Sequence, residues 1–444
     1  MSARAGKVGP GLATMLVAGN MVGSGIFLLP ATLASIGSVT LLGWLAATGG
    51  ALLIALAFAR LAALHPGQGP CDYASIRLGR FAGFQSYLLY LLVTWVGNLG
   101  VAIAAVGYLG SLFPSVASGW PAAFACVALI LALMALNLSG ARRVCQFDTV
   151  TLVAGLLPVL LVGTLGWLHF DAHLFQASWN PGHLPIHTAL PRSLLFVFWA
   201  FLGLESAAVA ASVVENPERN VAIASIGGVL LAAAVYIVAS TVIFGLVPAA
   251  QLAGSAAPFA DASRVLLGNV GAGFVAVAAL IKTVGTLSGW ILMAGETGRA
   301  AALQGFLPRA LTRLDASGAP SVALACAAAF TCVMALATKS PTLAQQFERL
   351  VDVSVLASLL VYSYALAGMF RRAGGTQAGD ARPVGAAWQA CAVGGIGFCG
   401  WVILASDASS LWLLLVLMAL AVPAWLLGVA HSAPVDAPAS APPP

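Results

Sequence analysis

Residues 18–30 read AGNMVGSGIFLLP, an apolar run of membrane-spanning length interrupted by Gly23, Ser24 and Gly25, with Asn20 before them and Pro30 after. Each glycine weakens a helix interior by about 1 kcal/mol. Irregular backbone at hydrocarbon depth survives only where it is buried in protein or lines a cavity. The interruption therefore predicts a span broken near the middle of the membrane, beside a cavity. Glycines that merely let helices pack closely are common in membrane spans, and that alternative stays open for any glycine taken alone. The adjoining Ser24 and Asn20 weigh against it here.

Outward from this stretch the whole chain reads as membrane protein. Of 444 residues 61% are hydrophobic and 7% charged, whereas soluble domains carry about 25% charged residues. Apolar runs of spanning length recur at 11–35, 39–63, 82–113, 120–138, 147–168, 191–212, 221–246, 269–297, 320–338, 346–371, 384–405 and 409–430. They predict an all-α polytopic protein with twelve transmembrane helices. The short alternating segments of a β-barrel are absent. The first run is too long for a signal peptide and lacks a clear cleavage site.

With an inside N-terminus, the inner segments hold Arg4, Lys7, Arg60, Arg77, Arg80, Arg142, Arg143, Arg219, Arg299, Arg309, Arg313, Arg371, Arg372 and Arg382. The outer segments hold only Arg192, Arg264, Lys339 and Arg349, and Lys282 falls within a span. The positive-inside rule then places both termini in the cytoplasm. The net charge of +5 is mostly this topology signal and asks for no nucleic-acid partner. The seven cysteines form no C-x-x-C pair and most read as small packing residues. Residues 1–430 read as a single membrane domain, and the Pro/Ala-rich 431–444 as a disordered cytoplasmic tail.

Span 6, FWAFLGLESA, offers a second interruption, with Gly203 beside the carboxylate Glu205. Interrupted spans at corresponding places in two halves mark an inverted-repeat transporter, whose substrate binds near the midplane. The repeats would cover about 11–168 and 191–371, with two further helices over 384–430. Freed N–H groups at a half-helix start suit an anion.

Several segments carry a resemblance: GNMVGSGIFLLPATLASIG, LYLLVTWVGN, FWAFLGLESA, ENPERNVAIASIGGVL, GTLSGWILMAGETGRAAALQGFLP and VSVLASLLVYSY. With their spacing, over about residues 7–430, they resemble the basic amino acid/polyamine antiporters of the amino acid–polyamine–organocation superfamily. The arginine/agmatine branch comes nearest and the putrescine/ornithine branch next. The resemblance implies the leucine-transporter-type fold, with a 5+5 inverted repeat and broken helices 1 and 6.

It also implies roles. Ser24 and Gly25, beside Asn20, match positions that hold the substrate carboxylate; the carbonyls of Trp199 and Leu202 would take the α-ammonium. Asn98, with the carbonyls of Val93 and Thr94, would hold the distal cation, and Trp290 would meet that cation face-on. Ser354 lies eight residues before Tyr362 on span 10, on one helical face with it, and is taken with the binding set. Tyr90, Glu205 and Tyr362 match a gate beneath the substrate. Thr94 and Val101 depart from the nearest branch, which has cysteine and methionine there. Without the resemblance, Trp199 reads equally as interface or packing, and Asn98 as interhelical glue.

Two charges do not fit the family. Lys282 in span 8 and Asp352 in span 10 replace small or neutral residues, and unpaired ions in apolar spans are costly. They are expected to pair with each other. The histidines, His65, His169, His173, His183, His187 and His431, lie in loops or at span edges without metal-ligand spacing. No phosphate loop, nucleophile elbow or H-E-x-x-H occurs. The sequence thus predicts neither an enzyme nor a cofactor-binding protein. It predicts an antiporter in a bacterial inner membrane, exchanging a cationic amino acid for its decarboxylated amine as arginine/agmatine exchangers do. Its partners would be those small molecules and the lipid bilayer, with a homodimer as an open assembly. A putrescine/ornithine exchanger, a neutral amino-acid exchanger or exporter (for which Lys282 speaks), and a transport-dead sensor are the rivals.

Overall fold

The computed structural model describes residues 9–65, 68–205, 214–337, 343–370 and 385–426. Within them the chain is helical: α1 (Pro10–Met21), α2 (Ser24–Ala34), α3 (Thr40–Leu64), α4 (Pro70–Leu78), α5 (Arg80–Leu112), α6 (Gly119–Asn137) and α7 (Ala141–Leu165) come first. Then follow α8 (Ile186–Trp199), α9 (Pro217–Leu246), α10 (Pro258–Leu303), α11 (Ser321–Ala337), α12 (Leu343–Ala367), α13 (Ala386–Leu404) and α14 (Ala408–Ala424). Eight of the described helices are long and apolar enough to cross a membrane, and α1 with α2 makes a ninth span bent by 45°. The protein is a polytopic all-helical membrane protein.

Apolar residues at the periphery have nothing but lipid to meet. Val270 is 86% exposed and Leu404 79%, an apolar surface that a soluble monomer does not present. The interior is organised around α5. Its most apolar 18-residue window is 89% buried, against 28% for α6, so α5 is a central post and α6 a boundary helix. On α5 pack α10 from one side and α12 from another; α10 also packs on α7, and α9 on α1 and α3.

Local chemistry sets the ends. Pro70 and Pro258 sit in the first turns of α4 and α10, where a missing N–H costs nothing. Within α10 the backbone leaves the helix at Gly268, with φ of 65°, one residue before the expected start of span 8 at 269. Helix α7 starts at Ala141 rather than at 147, so Arg142, Arg143 and Cys145 extend it beyond the apolar run. The tail over 431–444 lies outside the described residues.

Candidate functional site

The first break is built by Val22 and Gly23. The Val22 N–H still bonds back to Ala18 O at 2.8 Å, and the Gly23 N–H turns to Met21 O at 2.7 Å. A new helix then starts at Ser24, with its first amides directed out of the helix end. The second break follows Trp199, where residues 200–205 form turns and Gly203 takes φ of 102°, the left-handed region favouring glycine.

These breaks face each other. A Cβ on Gly25 would come 3.1 Å from Trp199 Cδ1 and 3.2 Å from Ala200 Cα, and one on Gly203 would come 3.4 Å from Asn20 O. Each interrupted span thus abuts the other through a glycine. Asn20 is exposed, and the Ser24 side chain lies outside the described residues. Among the turns, Trp199 O accepts the Leu202 N–H at 3.2 Å, and Ala200 O accepts the Tyr236 hydroxyl at 3.0 Å.

Beside the breaks stands an aromatic box. Trp199 and Trp290 lie nearly parallel, 16° apart with centroids at 6.1 Å, and Phe347 meets Trp199 edge-on at 5.8 Å. Gly97 leaves room for both tryptophans: its Cβ would stand 3.3 Å from Trp290 and 3.4 Å from Trp199. Next to Gly97, Asn98 is 1% exposed and its Oδ1 has no hydrogen-bond partner among the described residues. The hydroxyls of Thr286 and Ser354 are likewise buried and unpartnered. Buried polar atoms are normally satisfied, so these acceptors suit a ligand rich in N–H donors. Thr94 is different: its hydroxyl bonds to Leu91 O at 2.9 Å, and Val93 and Thr94 lie inside an uninterrupted helix.

Below the break, Glu205 is 3% exposed and its oxygens are held by donors from separate helices. Tyr90 on α5 donates to Oε1 at 2.7 Å, Tyr362 on α12 donates to Oε2 at 2.7 Å, and the Gly203 N–H reaches Oε2 at 3.2 Å. The structure therefore brings together the three residues singled out as a gate. Phe58 and Phe198 wall Tyr362, with ring centroids at 5.2 and 6.4 Å.

The expected pair of Lys282 with Asp352 does not form. Lys282 Nζ lies 3.6 Å from Asp148 Oδ1 on α7. Helix α10 packs on α7 as well as on α5, and Lys282 lies on its α7 side. Lys282 instead faces α7, where Gly155 leaves a groove for its stem; a Cβ on Gly155 would come 2.3 Å from Lys282 Cβ. Asp352 opens to a cavity of about 500 Å³ bordered by α8, α12 and the turn before α14, shared with Arg192, Glu348 and Asp407. At its rim the hydroxyls of Ser409 and Ser410 hold the Asp407 carboxyl below its usual range.

Thr286, Phe347 and Asp148 were not singled out in the sequence. Thr286 precedes Trp290 by four residues and Phe347 precedes Ser354 by seven, so helical spacing from a chosen residue would have found both. Asp148 sat at the expected rim of span 5, where an acid draws no notice.

The sequence signature of the amino acid permease family matches residues 12–429. The chain belongs to that family. It is 38% identical over 371 residues to a cadaverine/lysine antiporter of Escherichia coli (strain K12), covering 82% of this chain and 83% of the relative. A putrescine transporter PotE of Haemophilus influenzae (strain ATCC 51907 / DSM 11121 / KW20 / Rd) is 34% identical over 370 residues, covering 83% and 85%. The PotE of Escherichia coli (strain K12) is also 34% identical, over 369 residues, 83% and 84% of the two chains. The relatives handle diamines and a basic amino acid, which supports the amino acid/polyamine class; the arginine/agmatine pair is not among their names.

Proposed function

We propose that this permease is an antiporter that exchanges a basic amino acid for its decarboxylated diamine across a bacterial inner membrane, with lysine and cadaverine as the first pair to test. It acts as a carrier, not an enzyme, and both termini face the cytoplasm. The observation that carries the reading is the buried carboxylate Glu205, bonded to Tyr90 and Tyr362 directly beside two facing helix breaks. An amino acid's carboxylate would sit at the start of α2, and its α-ammonium against the carbonyls after Trp199. The distal cation would sit between Trp290 and the unpartnered Asn98 Oδ1. A desolvated cation over an indole face gains about 2 kcal/mol. The pairing of Lys282 with Asp148 removes the fixed free cation that argued for a neutral substrate. Alternating access follows if substrate binding lets the Glu205 knot open while the empty carrier stays closed.

Counterflow into proteoliposomes tests this. Vesicles loaded with lysine should take up labelled cadaverine well above unloaded vesicles, with ornithine/putrescine and arginine/agmatine as parallel arms and alanine as the neutral control. Trp290→Leu should weaken diamine binding at least about tenfold, as the loss of a buried cation–π contact implies. Uptake driven by alanine as strongly as by lysine would overturn the reading.

A further inference from the structure

A cleft of about 370 Å³ lies between α5, α11 and α14, away from the breaks, walled by Leu88, Leu92 and Trp95 on one side and by Met418 and Leu420 on another. Leu420 is 62% exposed and Phe330, which closes the third side, 38%, so the cleft opens laterally, where the bilayer lies. Two polar side chains border the cleft: the Gln85 amide donates to Met418 O at 3.5 Å and accepts the Tyr364 hydroxyl at 3.2 Å, and the Trp95 indole N–H is buried with no partner among the described residues. The other side chains that line it are hydrocarbon, or thioether at Met418.

The chain that leaves the cleft at Leu307 is basic. Leu307 lines the cleft, and two residues later the turn Arg309–Thr312 begins. Arg309 and Arg313 are exposed and have no acidic partner among the described residues. From Gln85 to Trp95 the α5 wall runs about 15 Å, which equals about half of a ~30 Å hydrocarbon core. An acyl chain inserted from the arginine-bearing face would therefore span one leaflet along this wall and leave its headgroup beside both guanidinium groups.

We propose that this cleft is a binding site for one anionic phospholipid, its acyl chain against Trp95 and its phosphate on Arg309 and Arg313. A second copy of the chain fits less well, because an apolar helix face would leave the two arginines without a counter-charge. Leu89 and Leu91 line the cleft on either side of Tyr90, whose hydroxyl is held by Glu205. The lipid thereby braces the α5 segment that carries Tyr90. The site rests only on the membrane-spanning fold; the brace rests on the antiport reading as well.

Trp95 is a reporter within the cleft. The full chain is placed in phosphatidylethanolamine vesicles with added phosphatidylglycerol or phosphatidylcholine, each brominated on its acyl chains, and the fluorescence lost in Trp95→Phe is taken as the Trp95 signal. Half-maximal quenching of that signal should need about fivefold less phosphatidylglycerol than phosphatidylcholine, as expected of basic side chains at an anionic headgroup. Arg309→Gln with Arg313→Gln should erase the preference. Equal quenching by both lipids, or quenching independent of Trp95, would overturn the site. If Trp95→Phe does not fold, native mass spectrometry of retained phosphatidylglycerol in the wild type and the double arginine variant makes the same comparison. Exchange should also run about threefold faster with phosphatidylglycerol than with phosphatidylcholine, an effect of roughly 0.6 kcal/mol; equal rates would remove the brace.

Discussion

Glu205 and Lys282 are the two most deeply buried charges in the described chain, 3% and 1% exposed, and they are held in opposite ways. Among the described residues Glu205 has no cationic partner at hydrogen-bond range; neutral donors from α5, α12 and the turn after α8 hold it. Lys282 has one counter-charge among the described residues, Asp148, and a groove at Gly155 cut to its stem. Several neutral hydrogen bonds from different helices can be exchanged one at a time as those helices move. A single buried ion pair cannot be opened without leaving an uncompensated charge. The hydrogen bonds of the first region can rearrange stepwise, where the ion pair of the second cannot.

The sharpest way to break the contrast is at the ion pair. Asp148→Ala leaves Lys282 buried and unpaired, and should cost about 3 kcal/mol of stability, the low end for a severed buried pair because Asp148 itself is 29% exposed. Lys282→Met in the same chain should return most of that, as thermal unfolding in detergent would record. Strictly additive losses in the cycle would mean that the two charges do not act together.

At Glu205 the proposed function puts the loss on rate. Glu205→Gln keeps the shape but turns one acceptor into a donor facing a tyrosine hydroxyl, and exchange is expected to drop about a hundredfold, near 2.7 kcal/mol in barrier. Calorimetric affinity for the diamine should change less than about threefold. Abolished binding would instead make Glu205 a ligand.

Gly155→Ala probes the groove alone. Its new methyl would meet the Lys282 stem at 2.3 Å, and overpacking of that kind costs about 1–3 kcal/mol. Lys282→Ala should relieve only part of it, because alanine keeps the Cβ that a methyl on Gly155 would meet at 2.3 Å. The smallest effect belongs to the outer rim, where Arg192 faces Glu348 at 3.8 Å with its side chain 51% exposed. Arg192→Gln should shift stability by less than about 1 kcal/mol, in line with exposed pairs. A larger shift would show that the cavity around Asp352 does more than sit at the surface.

How much was legible differs by region for the same physical cause. The break at Gly23 could be read because adjacent small residues in a hydrocarbon span have a local consequence for the backbone. Tyr90, Glu205 and Tyr362 could be grouped through family resemblance, yet the bonded pairs stand 115 and 157 residues apart along the chain. The partner of Lys282 was misjudged because two lone charges in apolar spans invite pairing, and nothing in the sequence says that span 8 turns Lys282 toward span 5. Thr286 and Phe347 escaped notice because a threonine and a phenylalanine in a span look like any others until a neighbour is known.

By itself the sequence determined that this chain is helical, crosses a membrane repeatedly, and is interrupted where glycines fall in spans. Those properties follow from hydropathy and backbone propensity, which each segment carries alone. Only the tertiary structure decided that the interruptions face each other, that Glu205 is held by tyrosines of two other helices, and that Lys282 belongs to Asp148. Burial of a polar group can be inferred from a sequence, but the atom that satisfies it is supplied by whichever helix the packing brings within 3 to 4 Å, and packing is a property of the whole assembly of helices.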